Sequence, residues 1–300
     1  MVRSNAEFME FIRDRIDRSR GYLVPTKASL LEVMLVRNLK CTSLYPNPDD
    51  EFCDPAVGPS ERIISEYMRK LDQYHSLIPK SDDEPLMVEK VKPSGYMILN
   101  GHHRWAAAMR ADYDTVPVRI VNLTHENDIV QMLRRTDNHR RVTMDLDEVV
   151  FCQNEEEAAG ALPFPLNIMY KERIRFGMPA LLHDLSGMGY DIWVYSAKYY
   201  SNGYIRAYFR KYGVKIDGIV TGTVRRKYYS EEEVKRVKAM FDHQYEETLH
   251  IDNSMILRTK RSTREFEDHP IDASPTEWSD AVRKIIKEFD GEQHQDESIF

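Results

Sequence analysis

The amino-acid sequence predicts an α/β protein of two domains, of which the second is built on a doubly wound parallel sheet. The chain has 300 residues, and at roughly 100–200 residues per domain this length predicts two separate cores. From residue 139 to residue 300, short apolar runs alternate with amphipathic segments, as strands and helices do in a parallel sheet. Residues 1–138 instead combine several helices with a hairpin, which predicts an α+β domain.

The composition is typical of a soluble globular protein with reduced thiols. Charged residues make up 30% of the chain and hydrophobic residues 42%. No apolar run approaches the roughly 18 residues of a membrane span, so no membrane partner is expected. The three cysteines form no CxxC pair, and their odd number favours a cytoplasmic location over a disulfide framework.

The net charge indicates which partners to expect. There are 42 lysines and arginines against 49 aspartates and glutamates, a net charge of −7. Because contacts with nucleic-acid phosphates favour a basic surface, sequence-specific DNA binding is not expected. A phosphorylated small molecule, a nucleotide or a phosphorylated macromolecular end is compatible with this charge.

In the first domain, helical periodicity precedes a hairpin. Apolar residues three and four positions apart predict a helix near the N-terminus, one after Thr26 or Ser29 and one over about residues 61–74. Two apolar runs flank Pro93-Ser94-Gly95, which predicts a hairpin. A helix after Gly101, a strand over residues 116–121 and a short helix around residues 129–133 complete this domain.

The second domain is predicted to alternate four strands with four helices. The strands are expected at residues 141–145, 191–195, 218–221 and 248–252, and the helices at 178–188, 203–211, 230–242 and 276–289. In such a sheet, ligands bind at the carboxyl ends of the strands.

Two aspartates follow the first of these strands. Asp145 and Asp147 lie at positions i and i+2, so they leave an extended backbone on the same side. Such a pair suits a nucleophile beside a general acid/base, or a hard metal ion such as Mg²⁺. An isolated pair of this kind is more often a helix cap or a solvated turn.

Polar groups at the three later strand ends favour the catalytic interpretation. Ser196 follows the second strand, a basic segment with Lys227 follows the third, and Asp252 follows the fourth. In a parallel sheet these groups would converge on one crevice. Together they match phosphoryl transfer to an aspartate, which needs an attacking carboxylate, an acid for the leaving oxygen, groups that hold the phosphoryl oxygens, and Mg²⁺.

The order and spacing of these motifs resemble the haloacid dehalogenase-like (HAD) phosphohydrolase superfamily over about residues 140–290. The resemblance implies that Asp145 is the nucleophile and a Mg²⁺ ligand. It implies that Asp147 is the general acid/base with its backbone carbonyl on the metal, that Ser196 binds the phosphoryl group, and that Asp252 completes the metal site. An aspartate at the second position implies phosphate esters rather than carbon–halogen bonds. The segment between Asp145 and Ser196 is too short for a large cap.

Two features depart from that pattern or leave it open. Many members have a second acid after the last strand, where this chain has Asn253. The lysine of the phosphate site is predicted to be Lys227, with Lys235 and Lys238 on the following helix as alternatives. Each of the three is otherwise a solvated surface lysine.

A second candidate site lies in the first domain, at Gly101-His102-His103-Arg104. A strand ends there and an alanine-rich helix begins, so backbone amides at the helix N-terminus would form an anion site. Arg104 could bind a phosphate with two parallel hydrogen bonds. Alternatively, the two histidines cap the helix and pack, and Arg104 pairs with an acid.

This segment resembles the ParB/sulfiredoxin superfamily over about residues 30–122, together with Tyr45-Pro46-Asn47-Pro48 upstream and Val116-Pro117-Val118 downstream. The resemblance implies nucleotide binding at the turn from Gly101 to Arg104. Members include chromosome-partition proteins, a peroxiredoxin-repair enzyme and ADP-dependent free-serine kinases. The repair enzyme requires a cysteine where this chain has His102, so that activity is not expected.

The leading hypothesis is a Mg²⁺-dependent phosphomonoester hydrolase acting through an aspartyl-phosphate on Asp145, fused to a nucleotide- or phosphate-binding domain. One alternative is a nucleotide-dependent kinase or nucleotidase centred on the turn from Gly101 to Arg104. Another is a non-catalytic regulator that senses a nucleotide and carries a degenerate second domain, for which Asn253 is the main support.

Overall fold

The computed structural model describes residues 5–19, 23–74, 85–152, 154–223, 231–262 and 266–296. Two compact units divide the chain, Met1–Asn122 and Leu123–Phe300. Each has its own mixed sheet, so the predicted α/β class with two cores is confirmed.

The first unit is built on a six-stranded mixed sheet. Its helices are α1 (Asn5–Ser19), α2 (Leu30–Met34), α3 (Glu61–Tyr74) and α4 (His102–Arg110), and its strands are β1 (Val24–Pro25), β2 (Val36–Lys40), β3 (Leu44–Tyr45), β4 (Leu86–Lys92), β5 (Tyr96–Asn100) and β6 (Thr115–Ile120). The strand order is β2-β6-β4-β5-β3, and β1 pairs with β4. The predicted hairpin is confirmed, because β4 and β5 pair antiparallel.

Helix α4 packs closely into this unit. Trp105 and the three alanines that follow it are fully buried, and their small side chains allow the helix to lie close to its neighbours. The indole Nε1 of Trp105 donates a hydrogen bond to the carbonyl oxygen of Cys41 at 3.0 Å. This packing fixes the first turn of α4 directly after β5.

The second unit is built on another six-stranded sheet, in the order β12-β11-β10-β7-β8-β9. Its helices are α5 (Glu126–Leu133), α6 (Leu166–Met169), α7 (Met178–Gly187), α8 (Asn202–Arg210), α9 (Glu231–Gln244) and α10 (Trp278–Asp296), and its strands are β7 (Arg140–Asp145), β8 (Tyr190–Tyr195), β9 (Gly218–Val220), β10 (Glu247–Ile251), β11 (Met255–Lys260) and β12 (Phe266–Pro270). The four predicted strands are confirmed and run parallel, as β10-β7-β8-β9. The antiparallel strands β11 and β12 were not predicted.

Helices cover both faces of the parallel strands. On one face Val142 and Met144 pack with side chains of α7, α8 and α10, in one apolar cluster. On the other face Trp193 packs with side chains of α5 and α9. Strand β9 lies so close to Trp193 that a Cβ atom on Gly218 would be 1.9 Å from its Cδ2, which explains the glycine there.

The division between the units falls at residue 122, whereas the sequence places it near residue 138. The difference arises from α5, which lies between these two positions. Ile129, Met132 and Leu133 of this helix pack with Val220 and Phe241, so the helix shares the core of the second unit.

No helix in the described ranges is both long enough and apolar enough to cross a lipid bilayer.

Candidate functional site

The strand order brings Asp145, Ser196 and Asp252 to one edge of the sheet in the second unit. From β7 the chain proceeds to β8 and β9 on one side, whereas β10 lies on the other side of β7. Ligands of open α/β sheets bind at such a switch point, beyond the carboxyl ends of the strands. Met144 pairs with Ile251, and Asp145 pairs with Tyr195, so Asp145, Asp252 and Ser196 end three neighbouring strands.

Asp145 is anchored through one of its two carboxylate oxygens. Its Oδ1 accepts the backbone N–H of Asp147 at 2.6 Å and that of Glu148 at 2.9 Å, in a short helical turn over Leu146–Val150. Its Oδ2 accepts no hydrogen bond from the described residues. Burial raises the pKa of Asp145, the two backbone hydrogen bonds oppose this, and the carboxylates of Asp147 and Asp252 add to the rise.

Asp147 is held by the loop that follows β8. Its Oδ2 accepts the hydroxyl of Ser196 at 2.8 Å and the backbone N–H of Ala197 at 3.1 Å. The ammonium group of Lys198 lies 3.5 Å from its Oδ1. Asp145 and Asp147 are therefore fixed by different elements and have different surroundings, the usual way in which neighbouring carboxylates acquire different roles.

Ser196 is fully buried and links two strand ends. Its backbone N–H donates to the carbonyl of Val220 in β9 at 2.9 Å, and its Oγ accepts the N–H of Lys198 at 3.0 Å. The structure thus places Ser196 in contact with Asp147. The sequence predicts that the polar groups at all four strand ends converge in this way. Its predicted contact with a phosphoryl group stays a prediction.

Asp252 lies in the tight turn between β10 and β11. Its backbone N–H donates to the carbonyl of Met255 at 2.9 Å, and its Oδ1 accepts the N–H of Asn253 at 2.6 Å. This turn holds Asp252 next to the end of β7, beside Asp145.

Asn253 has a structural role in this turn. Its side-chain oxygen accepts a hydrogen bond from Nη2 of Arg175 at 2.6 Å, and its backbone oxygen accepts one from Nε1 of Trp278 at 2.7 Å. The guanidinium of Arg175 also lies 4.6 Å from the centre of the Trp278 ring. Through these contacts with Arg175 and Trp278, the amide of Asn253 helps to hold the turn that carries Asp252. A second acid at position 253 would instead have added a negative charge.

The buried Arg175 contacts both turns of the candidate site, and the sequence did not indicate this residue. Only 5% of it is exposed, and its Nη2 also lies 3.4 Å from the carbonyl oxygen of Glu148, in the turn that anchors Asp145. Burial lowers the pKa of Arg175, and the charge of Glu157 opposes this. One side chain therefore links the turn after β7 to the turn after β10.

Among the residues that the structure describes, Lys198 is the lysine that forms an ion pair with Asp147. The predicted Lys227 lies outside the described residues. Lys235 on α9 forms an exposed ion pair with Glu231 at 3.6 Å, and Lys238 is on the same helix. The sequence signal for Lys198 was its position two residues after Ser196, on the same loop.

No group of three or more His, Cys, Asp or Glu side chains among the described residues is arranged to hold a metal ion. Asp145 and Asp252 nonetheless bring two carboxylates to one edge of the sheet, where the charge of Asp252 contributes to the raised pKa of Asp145. A bound cation would relieve that repulsion. Mg²⁺ often binds through one or two carboxylates and keeps several waters, so these residues fit it.

The predicted anion site of the first unit lies between β5 and α4. Gly101 has a φ of +99°, in the left-handed region that favours glycine. A Cβ atom there would lie 3.0 Å from Leu86 and 3.1 Å from Nη2 of Arg104, so a larger residue would crowd the arginine. Arg104 is largely buried, and its guanidinium lies against this turn.

The two histidines of the turn attach a preceding loop to α4. Nε2 of His102 accepts the backbone N–H of Asn47, and Nε2 of His103 accepts that of Ser60, both at 3.1 Å. The ring of Phe52 stacks on His102 at 5.4 Å and meets His103 edge-on. Burial lowers the pKa of His103, while the charge of Asp50 opposes this. These contacts favour the packing interpretation for both imidazole rings.

Comparison with known proteins locates one family match in the chain. Residues 56–135 match the ParB N-terminal domain. The matched ParB segment contains α3, the hairpin and α4 with its Gly101 turn. It begins at residue 56 and therefore occupies the middle of the chain. The sequence instead predicts a ParB-like domain over all of residues 1–138.

The solved structures that resemble this chain do so weakly. A C-terminally truncated ParB from Caulobacter crescentus, in complex with CTP-γ-S, is 24% identical, and the match covers 35% of this chain and 56% of that one, with a TM-score of 0.24. A free serine kinase in complex with AMP is 14% identical over 74% of this chain and 86% of that one, again at 0.24. A conserved hypothetical protein from Pyrococcus furiosus is 16% identical over 45% and 53% of the two chains, also at 0.24. The chain spans about half the length of the ParB structure that it matches.

No curated protein matches the chain. The family match and the three structures named above include no HAD-like protein, so that resemblance rests on the motifs and on the geometry of the second unit. The expectation that the chain does not bind a specific DNA sequence also stays a prediction.

Proposed function

We propose that the second unit is a Mg²⁺-dependent phosphomonoester hydrolase of the HAD-like type. The main support is the pair of aspartates at the switch point of the sheet. Asp145 has one anchored oxygen and one that no described residue engages, whereas Asp147 is held by Ser196 and the Ala197 N–H. A nucleophile and an acid/base need this difference in environment.

The reaction would have two steps. In the first, Oδ2 of Asp145 attacks the phosphorus, the bond between phosphorus and the ester oxygen breaks, and Asp147 gives its proton to the leaving oxygen. In the second, a water attacks the phosphorus of the aspartyl-phosphate while Asp147 takes a proton from that water. The acyl phosphate bond then breaks, Asp145 is regenerated as a carboxylate, and inorganic phosphate leaves.

Other residues would position the phosphoryl group and the two acids. Lys198 places an ammonium group beside Asp147, where negative charge accumulates on the transferring oxygens. Arg175, through Glu148 and Asn253, holds the turns that bear Asp145 and Asp252. Mg²⁺, held by Asp145, Asp252 and, as the resemblance implies, the backbone carbonyl of Asp147, would supply charge neutralisation at the phosphoryl oxygens.

A screen of phosphomonoesters with and without Mg²⁺ tests this proposal. We expect the protein to release phosphate from at least one substrate among nucleotides, sugar phosphates, phosphoamino acids and phosphorylated nucleic-acid ends. Chelation with EDTA is expected to stop the release and added Mg²⁺ to restore it. Turnover that persists in EDTA would contradict the metal dependence, and absence of turnover with every substrate would refute the hydrolase.

A second candidate function is nucleotide binding at the turn from Gly101 to Arg104. The first turn of a nine-residue helix offers backbone N–H groups to an anion, and Arg104 lies against the same turn. The ParB family match covers this turn. A kinase or a nucleotide-sensing regulator would both begin with such binding.

Calorimetry with ATP, ADP and CTP tests the second function. We expect one of them to bind, and Arg104→Ala to weaken that binding by about tenfold or more, because a charge-assisted contact is lost. Arg104→Lys keeps a long cationic side chain without the planar guanidinium, so it separates loss of the two parallel hydrogen bonds from loss of packing. Arg62→Ala, at an exposed arginine, serves as the control. If no nucleotide binds to the wild-type protein, this function is wrong.

A further inference from the structure

A cavity of about 320 Å³ adjoins Asp147, the second aspartate of the candidate site. Its volume is at the lower end of the range for small-molecule sites, which suits one nucleotide-sized group. The side chains that line it include Asp147 and Lys198, the aromatic Phe151 and Tyr200, and the cations Lys171 and Arg173. If the proposed hydrolase reaction occurs at Asp145, this cavity receives the leaving group of the ester.

Two of the side chains that line the cavity are aromatic, and contacts with other rings hold them in place. The rings of Phe151 and Tyr200 meet edge-on at 6.2 Å, and Tyr200 lies parallel to Tyr204 with ring centres 6.1 Å apart. Phe151 is also buried against Tyr208 of α8. A planar group of the substrate can pack here, as nucleobases pack on aromatic side chains.

Two other side chains that line the cavity are cationic, and the carboxylates of Glu155 and Glu172 line it as well. Lys171 and Arg173 lie two residues apart in the chain, and both side chains line the cavity. The segment that carries them is attached to the chain that follows Asp147. Phe151 forms a β-bridge with Ile174, and the N–H of Cys152 donates to the carbonyl of Arg173 at 3.0 Å. Glu172, between the two cations, accepts the hydroxyl of Tyr204 at 2.5 Å.

Both cations are available to an anion. Arg173 pairs with Glu155 at 3.1 Å, but Glu155 is 87% exposed, and such surface pairs contribute little free energy. Lys171 forms no ion pair with any carboxylate in the described part of the chain. A second phosphate group of the substrate would therefore meet two cations among the residues that line the cavity.

We propose that the substrate is a nucleotide with two phosphate groups. Its base would pack beside Tyr200, its second phosphate would bind Lys171 and Arg173, and its scissile phosphate would lie at Asp145. This chemistry occurs both in a free nucleoside bisphosphate and in the phosphorylated end of an oligonucleotide, where the second phosphate is a diester. The proposal rests on the proposed hydrolase function.

Comparison of kcat/KM among four substrates tests the proposal: a nucleoside bisphosphate, the matching nucleoside monophosphate, glycerol phosphate and a dinucleotide with a terminal phosphate. We expect the bisphosphate or the dinucleotide to exceed the monophosphate by about tenfold or more, and the monophosphate to exceed glycerol phosphate. A preference for the dinucleotide over the free bisphosphate identifies a nucleic-acid end as the source, and the reverse identifies a free nucleotide.

Three variants assign the preferences to residues. Lys171→Ala and Arg173→Ala are each expected to reduce the advantage of the second phosphate to a few-fold, and their combination is expected to remove it. Tyr200→Leu is expected to remove the advantage of the nucleoside over glycerol phosphate. Exposed Lys211→Ala, at the end of α8, changes the same charge away from the cavity and should keep the wild-type ratios.

The outcomes separate this inference from the proposed function. If the wild-type protein hydrolyses glycerol phosphate as well as it does the nucleotides, or if the double variant keeps the preference, the substrate class is wrong while the hydrolase stands. If no phosphomonoester is hydrolysed, the hydrolase itself is refuted.

Discussion

Asp145→Asn is expected to lower phosphomonoester turnover by about four orders of magnitude or more, because an amide cannot attack phosphorus as a carboxylate does. The folded structure should survive this change. The amide oxygen can still accept the N–H groups of Asp147 and Glu148, and the repulsion with Asp252 disappears. Steady-state kinetics with a generic phosphomonoester and thermal unfolding measure the two effects.

The stability of the variant distinguishes a catalytic loss from unfolding. Because the pKa of Asp145 is raised in the folded protein, its ionised form costs stability at neutral pH, so Asp145→Asn should have an equal or higher Tm. Asp268→Asn, an exposed aspartate on β12, is the matched control and should keep full turnover. Unchanged turnover in Asp145→Asn would rule out an aspartyl-phosphate on Asp145 and would mean that another group attacks the phosphorus.

Glu247→Gln is expected to reduce the free energy of unfolding of the second unit by about 3–5 kcal/mol, because it removes the negative charge between two arginines. Glu247 is 4% exposed, and its carboxylate accepts Nε of Arg258 at 2.6 Å and Nε of Arg140 at 2.7 Å. Arg258 is only 1% exposed, so water cannot replace the lost partner. Urea unfolding at neutral pH measures the change.

The pH dependence of this difference follows from the pKa of Glu247. Burial raises that pKa, but the hydrogen bonds and charges of Arg258 and Arg140 outweigh burial and hold it below its ordinary value of 4.5. A carboxyl with a depressed pKa in the folded state stabilises above its unfolded pKa and loses this effect as the pH falls. The difference between wild type and Glu247→Gln should therefore be full at neutral pH and shrink below about pH 4.5.

Glu267→Gln is the control for this measurement. Glu267 also contacts Arg258, at 3.4 Å, but it is 42% exposed, so its loss should cost no more than about 1 kcal/mol. Equal unfolding free energies for wild type and Glu247→Gln at neutral pH would contradict the structural role given to this buried network.

Several features of the fold could be predicted from the sequence because they depend on local patterns. Buried parallel strands are short apolar runs between amphipathic helices, and this pattern located β7, β8, β9 and β10. Since the carboxyl ends of parallel strands share an edge, the positions of Asp145, Ser196 and Asp252 in the chain were enough to predict that they meet. The ParB-like segment was predicted from a contiguous motif around Gly101.

Other features depend on contacts between distant parts of the chain, which no local pattern records. Strand β12 has an exposed and polar composition, and its pairing with β11 determines its structure. The link from Arg175 to Asn253 spans 78 residues, and the roles of His102 and His103 depend on a loop more than 40 residues away. Helix α5 joins the second unit because its apolar face packs on Phe241.

The sequence by itself therefore determined the α/β class, the strand ends that carry the carboxylates, and the ParB-like turn. These follow from hydrophobic period and from residues adjacent in the chain. Only the tertiary structure decided that Lys198 lies beside Asp147, that Asn253 binds Arg175, and that Lys171 and Arg173 border the cavity. Such choices depend on which surfaces pack together, because side-chain contacts arise from the whole fold and not from sequence order.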